Sequence, residues 1–253
     1  MKLVEKGDME KCFVYLRKND MAQVLSSVEQ KSKRSPLHIA AKYGHYHLIE
    51  FFLNKNANIE ARDKLLKTPL HYACEGGHTE VVKILMDHNG DPQEKDNCGR
   101  TAMHYAVYSG KTDIMALLTQ HSTDIVHEKD HAGRTPLHHA VFMEASQVLM
   151  ISKLLDYGAD INALDSDKRS ALHHAAEAGK ARVIPVLIQR GAHTSLKDSL
   201  LKKTPLEMAA NDHIKELMIA YCSPEYMPDE KEINQQNKKK YQDRLVNKHG
   251  QIY

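Results

Sequence analysis

Cysteine is scarce in this chain, and its four copies, Cys12, Cys74, Cys98 and Cys222, lie far apart with no C-x-x-C pair. That spacing excludes a disulfide framework and a zinc ribbon, and it suits a reducing compartment. An excess of charge is also missing: 35 basic against 33 acidic side chains leave a formal charge of +2. Tracking a polyphosphate backbone needs more cation than that, so no dedicated nucleic-acid binding is expected. No apolar run approaches the roughly 18 residues that suggest a membrane span, and the opening MKLVEKGDMEKC has no apolar stretch of the signal-peptide kind. The expected location is cytoplasmic, with the nucleus as the alternative.

Catalytic motifs are equally hard to find. Neither G-x-S-x-G nor a glycine-rich kinase loop occurs. Gly110-Lys111-Thr112 looks like the end of a phosphate-binding loop, but Tyr105 stands where that loop needs its first glycine. Seventeen histidines raise the question of a metal. Yet His45 and His47, and the doublets formed by His139 and His174, have no Cys or carboxylate at ligand spacing. No enzyme activity, cofactor or metal is expected. The composition, 42% apolar and 27% charged over 253 residues, is that of a folded chain with a sizeable core.

What the chain does have is repetition. SPLHIA at Ser35, TPLHYA at Thr68, TAMHYA at Thr101, TPLHHA at Thr135, SALHHA at Ser170 and TPLEMA at Thr204 recur at spacings of 33, 33, 34, 35 and 34 residues. A Gly follows most anchors (Gly44, Gly77, Gly110, Gly179), and after it comes an apolar helical pattern such as Val81, Val82, Ile84, Leu85. Each unit therefore reads as a helix, a short turn, a second helix and an extended loop. Thr or Ser before Pro is an N-cap followed by a first-turn proline, whose missing N–H does no harm there. No unit can bury its apolar face alone, so neighbours must stack.

With these anchors the chain, from about residue 33 to 222, closely resembles the ankyrin repeat family. The resemblance implies an all-α solenoid of stacked helix-turn-helix units joined by β-hairpin-like loops. Residues 1–32 read as a degenerate N-terminal capping repeat, with Gly7 to Leu16 as its second helix. Residues 33–222 hold five full repeats and a C-terminal cap, in which TPLEMAANDHIKELMIAY is expected to keep the first helix and shorten the second. Residues 223–253 form a charged tail or linker. There Ile233, Tyr241 and Leu245 give a stripe too thin to decide between a helix over 229–247 and a solvated segment. The resemblance also assigns His38, His71, His104, His138 and His173 to bonding neighbouring backbone and hydroxyl groups.

In the resembled family, partners bind to loop tips and to the exposed side of the first helices, which line a concave groove. Carried onto this sequence, the candidate partner-binding residues are Tyr43, Lys64, Leu65, Lys67, Arg100, Tyr108, His131, Arg134, Phe142, Met143 and Arg169. Arg34, Lys67, Arg100, Arg134, Arg169 and Lys203 each precede an anchor, so stacking places a cation at one height in successive units, roughly 10 Å apart. Such a ladder would steer an acidic partner; the alternative is pairing with tip acids such as Asp63, Asp96, Asp130 and Asp165. Tyr43, Tyr108, Phe142 and Met143 sit where no core demand is evident, and aromatics with arginines dominate binding hot spots. Tyr72 and Tyr105 read as packing between repeats.

Departures from the pattern carry their own expectations. Leu66, Lys168 and Lys202 replace the tip glycine seen as Gly99 and Gly133, which predicts a different turn at those tips and an exposed apolar Leu65-Leu66. The fourth repeat loses its inter-helix Gly and gains about two residues beside Phe142 and Met143, where insertions often mark a binding face. Pro185 is placed in the second turn of a helix and predicts a kink. In the resembled family an Asn set as Asn162 is, after Leu154 and Asp160-Ile161, is often hydroxylated; the alternative is a plain turn-bonding role. The expected partner is a protein or peptide, bound by a chain that is monomeric alone. The chain reads as a protein-protein interaction module. Two other readings stay open: the N-terminal regulatory part of a longer enzyme or channel, and a free-standing assembly chaperone or inhibitor.

Overall fold

The computed structural model describes residues 1–143 and 147–222. The fourth-repeat insertion at 144–146 and the whole segment 223–253, with the helix considered there, lie outside the described residues. The chain divides into two compact units, residues 1–160 and 161 onward. The first holds α1 (Lys2–Glu5), α2 (Met9–Lys18), α3 (Met21–Ser26), α4 (Pro36–Tyr43), α5 (Tyr46–Asn54), α6 (Pro69–Gly76), α7 (Thr79–Asp87), α8 (Ala102–Ser109), α9 (Thr112–His121), α10 (Pro136–Val141) and α11 (Gln147–Asp156). The second holds α12 (Ala171–Glu177), α13 (Ile184–Gln189) and α14 (Asp212–Tyr221). Among the described residues there is no strand, and no helix is long and apolar enough to cross a membrane.

Every anchor except Thr204 starts its helix in the same way. At α4 the hydroxyl and the backbone N–H of Ser35 both reach His38 Nδ1, at 2.8 and 3.0 Å. Thr68 with His71, Thr101 with His104, Thr135 with His138 and Ser170 with His173 repeat the capping box. In the first unit the other ring nitrogen donates one repeat forward: His38 Nε2 to the Lys67 carbonyl at 2.9 Å, His71 to Arg100 at 3.1 Å and His104 to Arg134 at 3.2 Å. In the second unit His173 reaches the Leu196 carbonyl at 3.1 Å. One side chain thus caps its own helix and ties down the next loop. The anchor alanines Ala40, Ala73, Ala106, Ala140 and Ala175 are fully buried, which lets helices approach closely.

The inter-helix turns add a second tie. Gly44 ends α4 at φ +77°, and a Cβ there would lie 2.6 Å from Nδ1 of His78. His78 Nε2 donates to the Lys42 carbonyl at 3.0 Å, and His45 does the same to Glu5 at 2.9 Å. His45, considered above for a metal, is therefore engaged in joining repeats.

At the N-terminus, α1 and α2 flank a left-handed Gly7 at φ +64°. The extra helix α3 occupies the stretch whose sequence fits the later loops poorly. The C-terminal repeat reverses the expectation: its first helix shrinks to a turn, while α14 keeps ten residues. Asn211 is the cause, because its side chain accepts the Ile214 N–H at 3.0 Å and starts α14. That cap falls seven residues after Thr204, against ten between Thr68 and His78, which leaves too little chain for a first helix. Pro185 also corrects its expectation, since α13 begins only at Ile184. The proline stands in the first turn, where no backbone donor is needed, and no kink follows.

The tips at Asp63, Asp96, Asp130 and Asp165 keep one turn whatever residue fills it. Leu66, Lys168 and Lys202 adopt φ of 57°, 57° and 54°, in the same left-handed region as Gly99 and Gly133 at 79° and 72°. A different turn is thereby overturned at Leu66 and Lys168, whose tips close from the aspartate N–H to the carbonyl four residues on as the glycine tips do; at Lys202 the turn does differ, running one residue longer from the Asp198 N–H to the Lys203 carbonyl at 3.0 Å. The reason is a tip aspartate. Asp63 Oδ1 accepts the N–H of Leu65 at 2.8 Å and of Lys67 at 3.0 Å, and Asp96, Asp130 and Asp165 repeat the pair within their own tips. Two charge-assisted bonds hold the loop against the local preference of its residue.

Candidate functional site

The second oxygen of each tip aspartate organises the face on which the candidate residues stand. Asp63 Oδ2 accepts from Tyr72 Oη at 2.7 Å, and Asp96 Oδ2 from Tyr105 Oη at 2.6 Å. Nine residues after Asp130 and Asp165 the tyrosine gives way to histidine. Asp130 Oδ2 accepts from His139 Nε2 at 2.8 Å, and Asp165 Oδ2 from His174 Nε2 at 2.7 Å. Tyr72 and Tyr105 therefore do structural work at the tips, beyond packing between repeats. His139 and His174 were missed as members of this set. The fixed spacing of nine from aspartate was the pattern that could have found them.

Most ladder cations are held by this arrangement. Arg34 donates from Nε to Tyr72 Oη at 2.9 Å and stands 3.7 Å from Asp63. Lys67 is buried, pairs with Glu75 at 2.8 Å and lies against the rings of Tyr72 and Tyr105. It departs most from the expected surface role, because a partner cannot reach an ammonium enclosed between two tyrosines. Arg100 pairs with Asp96 at 3.0 Å. In the second unit Arg169 pairs with Glu177 at 3.0 Å and stands 3.5 Å from Asp198. Arg134 is different: its guanidinium lies 5.8 Å from the Phe142 ring centroid, and no side-chain ion pair joins it to a described residue.

The remaining candidates are accessible. Tyr43, Leu65 and Phe142 are exposed, and Tyr108 is partly so. Lys64 and His131 are exposed at their tips, where the Lys64 N–H joins the Ser32 carbonyl at 2.9 Å and the His131 N–H joins that of Cys98 at 2.8 Å. Met143 is half-buried. Tyr108, His139 and Asp130 form a hydrogen-bonded chain, with Tyr108 Oη 2.7 Å from His139 Nδ1. Burial lowers the pKa of His139 against the pull of Asp130. Burial also opposes the charge on Asp130, yet bonds from the Arg134 backbone and His139 hold it below the usual carboxylate range. The neutral ring donates from Nε2 and accepts at Nδ1, so it fixes the Tyr108 hydroxyl and leaves the edge of that ring at the surface. Burial raises the Tyr108 hydroxyl itself.

Comparison with known proteins agrees with this architecture. A family model for ankyrin repeats in three copies matches residues 1–96 and 88–165, and one for ankyrin repeats in many copies matches 154–209. The chain is 33% identical over 79 residues to the ADP-ribosylation factor GTPase-activating protein AGD4 of Arabidopsis thaliana, a match covering 30% of this chain and 10% of that one. It is 34% identical over 94 residues to Inversin of Mus musculus, covering 37% of this chain and 9% of that one. The chain thus spans about a tenth of the length of these relatives. Among solved structures, the ankyrin repeat domain of Bcl-3, described as a unique member of the IkappaB protein family, aligns with a TM-score of 0.71 at 27% identity, over 86% of this chain and 96% of that one. Ankyrin repeats are protein-interaction modules and the fold is generally non-catalytic. Capping histidines, tip aspartates and family models all lead to one assignment: the chain belongs to the ankyrin repeat family.

Proposed function

We propose that this chain is a protein-protein interaction module that receives a peptide or a folded partner on its concave face, centred on the third and fourth repeats. The observation that carries the reading is the exposed Phe142 ring under the half-buried Arg134 guanidinium, with the partly exposed Tyr108 in the preceding repeat. Residues of these types supply most of the binding energy at interfaces. Four separated cysteines and balanced charge favour a cytoplasmic or nuclear setting and a chain that is monomeric alone. A second reading makes the repeats the regulatory part of a longer polypeptide. Its support is that the matched segment is about a tenth of each relative, GTPase-activating proteins among them.

The test begins with affinity capture on the wild-type chain and on Tyr108→Ala and Phe142→Ala variants, followed by calorimetry with the partner that the variants lose. Each truncation is expected to weaken binding by about 1–3 kcal/mol, with melting temperatures preserved. Unchanged affinity in both variants would sink the concave-face reading. A partner encoded in the same transcript would favour the second.

A further inference from the structure

Within the first unit, Arg134 is the member of the cation ladder that has no side-chain ion pair among the described residues. Lys67 and Arg169 each meet a glutamate eight residues on, Glu75 and Glu177. At the same offset from Arg134 stands Phe142. Arg34 and Arg100 lie within reach of the carboxylates of Asp63 and Asp96. The corresponding oxygen of Asp130 is taken by His139, and its other oxygen accepts the backbone N–H groups of Ala132 and Arg134, both at 2.9 Å. Two replacements, tyrosine by histidine and glutamate by phenylalanine, thus take from one guanidinium the tip carboxylate that Arg100 uses and the glutamate that Lys67 and Arg169 use. No side-chain ion pair joins Arg134 to any described residue, and it rests on the phenyl face of Phe142, itself 44% exposed. A guanidinium stacked on an aromatic ring is held in one orientation with its outer N–H groups free. Tyr108 borders the same spot through the His139 ring, whose centroid is 5.3 Å from its own.

Resting on the interaction-module reading, we propose that Arg134 receives the side-chain carboxylate of an aspartate or glutamate in a peptide partner, with Phe142 and Tyr108 taking an apolar residue beside it. A carboxylate suits the site better than a phosphate, because one uncompensated cation is present and the neighbouring Arg100 is already paired. Arginine grips a carboxylate through two parallel N–H bonds, which fixes both position and direction of the bound chain.

The experiment is display selection of random linear peptides on phage against the whole 253-residue chain, followed by fluorescence anisotropy with a selected peptide. Wild-type selections should share an acidic residue next to an apolar one. Changing that acid to its amide should weaken binding about tenfold or more, the scale of a charge-assisted bond. In the Arg134→Gln chain the same peptide change should cost nothing. Phe142→Glu supplies an internal carboxylate, as Glu75 does for Lys67, and should abolish the acidic preference without relying on loss of the arginine. Circular dichroism melts of both variants confirm that they fold. Equal losses for the amide peptide in wild-type and Arg134→Gln chains would overturn the proposal while leaving the module reading intact, provided Tyr108→Ala still reduces binding. Peptides indifferent to Tyr108→Ala, Phe142→Ala and Arg134→Gln would overturn both.

Discussion

A leucine held at φ 57° is the clearest case in this molecule of one residue overruled by its neighbours. Leu66 sits where Gly99 and Gly133 sit in later repeats, and a side chain in the left-handed region costs about 1–2 kcal/mol. The loop accepts that cost because Asp63 binds two of its backbone N–H groups and the Leu66 N–H reaches the Asp63 carbonyl at 3.0 Å. Leu66 itself is 43% exposed, so little packing is lost with its side chain. Leu66→Gly is therefore expected to stabilise the chain by about 0.5–1 kcal/mol, the strain relieved less the extra freedom of an unfolded glycine. Urea denaturation at neutral pH measures it. A lowered midpoint would mean that the leucine makes contacts worth more than its strain.

Helices and loops were legible in the sequence to the extent that one residue decided them. A hydroxyl, a proline and a histidine within four positions fix the start of α4, α6 and α10, and they can be read without a structure. Legibility failed where two signals competed. The repeat register puts Pro185 in a second turn, while the helix starts only at Ile184; TPLEMA has the anchor pattern, while Asn211 claims the chain for α14. At the candidate site the tip positions were legible from the repeat register, but which cations are free was not. That depends on pairs eight and nine residues apart, such as Lys67 with Glu75 and Asp130 with His139, which no anchor motif includes. Asn162 belongs to the same class. Its Nδ2 donates to the Gly191 carbonyl at 3.3 Å and its Oδ1 accepts the His193 N–H at 2.7 Å, bridging one loop to the next. Glu60 holds the same register in the first unit, accepting the Asp91 N–H at 2.8 Å. A bridging role predicts that Asn162→Ala costs about 1–2 kcal/mol in urea, and that peptide mass spectrometry of the native protein finds no added oxygen on Asn162. A hydroxylated species would show that the loop opens to an enzyme.

Across the whole molecule the capping histidines impose a shared response to acid. Each is buried with Nδ1 accepting and Nε2 donating, a state open only to the neutral ring. Burial lowers His38 and His173, and it takes His71 from 6.5 to about 4 and His104 to about 3. A folded value below the unfolded one means that the unfolded chain takes up the proton first. Stability is then full above about 6.5 and falls as pH drops toward the folded values, by up to about 1.4 kcal/mol per pH unit for each such ring. The tip aspartates add loss at lower pH. Burial opposes the charge on Asp96 and Asp165, but the Tyr105 hydroxyl for the first, and the Arg169 backbone with His174 for the second, hold them below the usual carboxylate range. Their stabilisation is present above that range and disappears as pH falls through their folded values. Two windows should therefore separate in urea titrations taken from pH 7.5 to 3: a histidine-driven decline beginning near 6.5, then a carboxylate-driven one below about 4. Proton uptake on unfolding at pH 5.5, measured in weakly buffered solution, is the direct check on the first. Stability that stays level between pH 7 and 5 would mean that the folded rings take up protons as readily as the unfolded ones, and the capping geometry shared by the five histidine anchors would have to be redrawn.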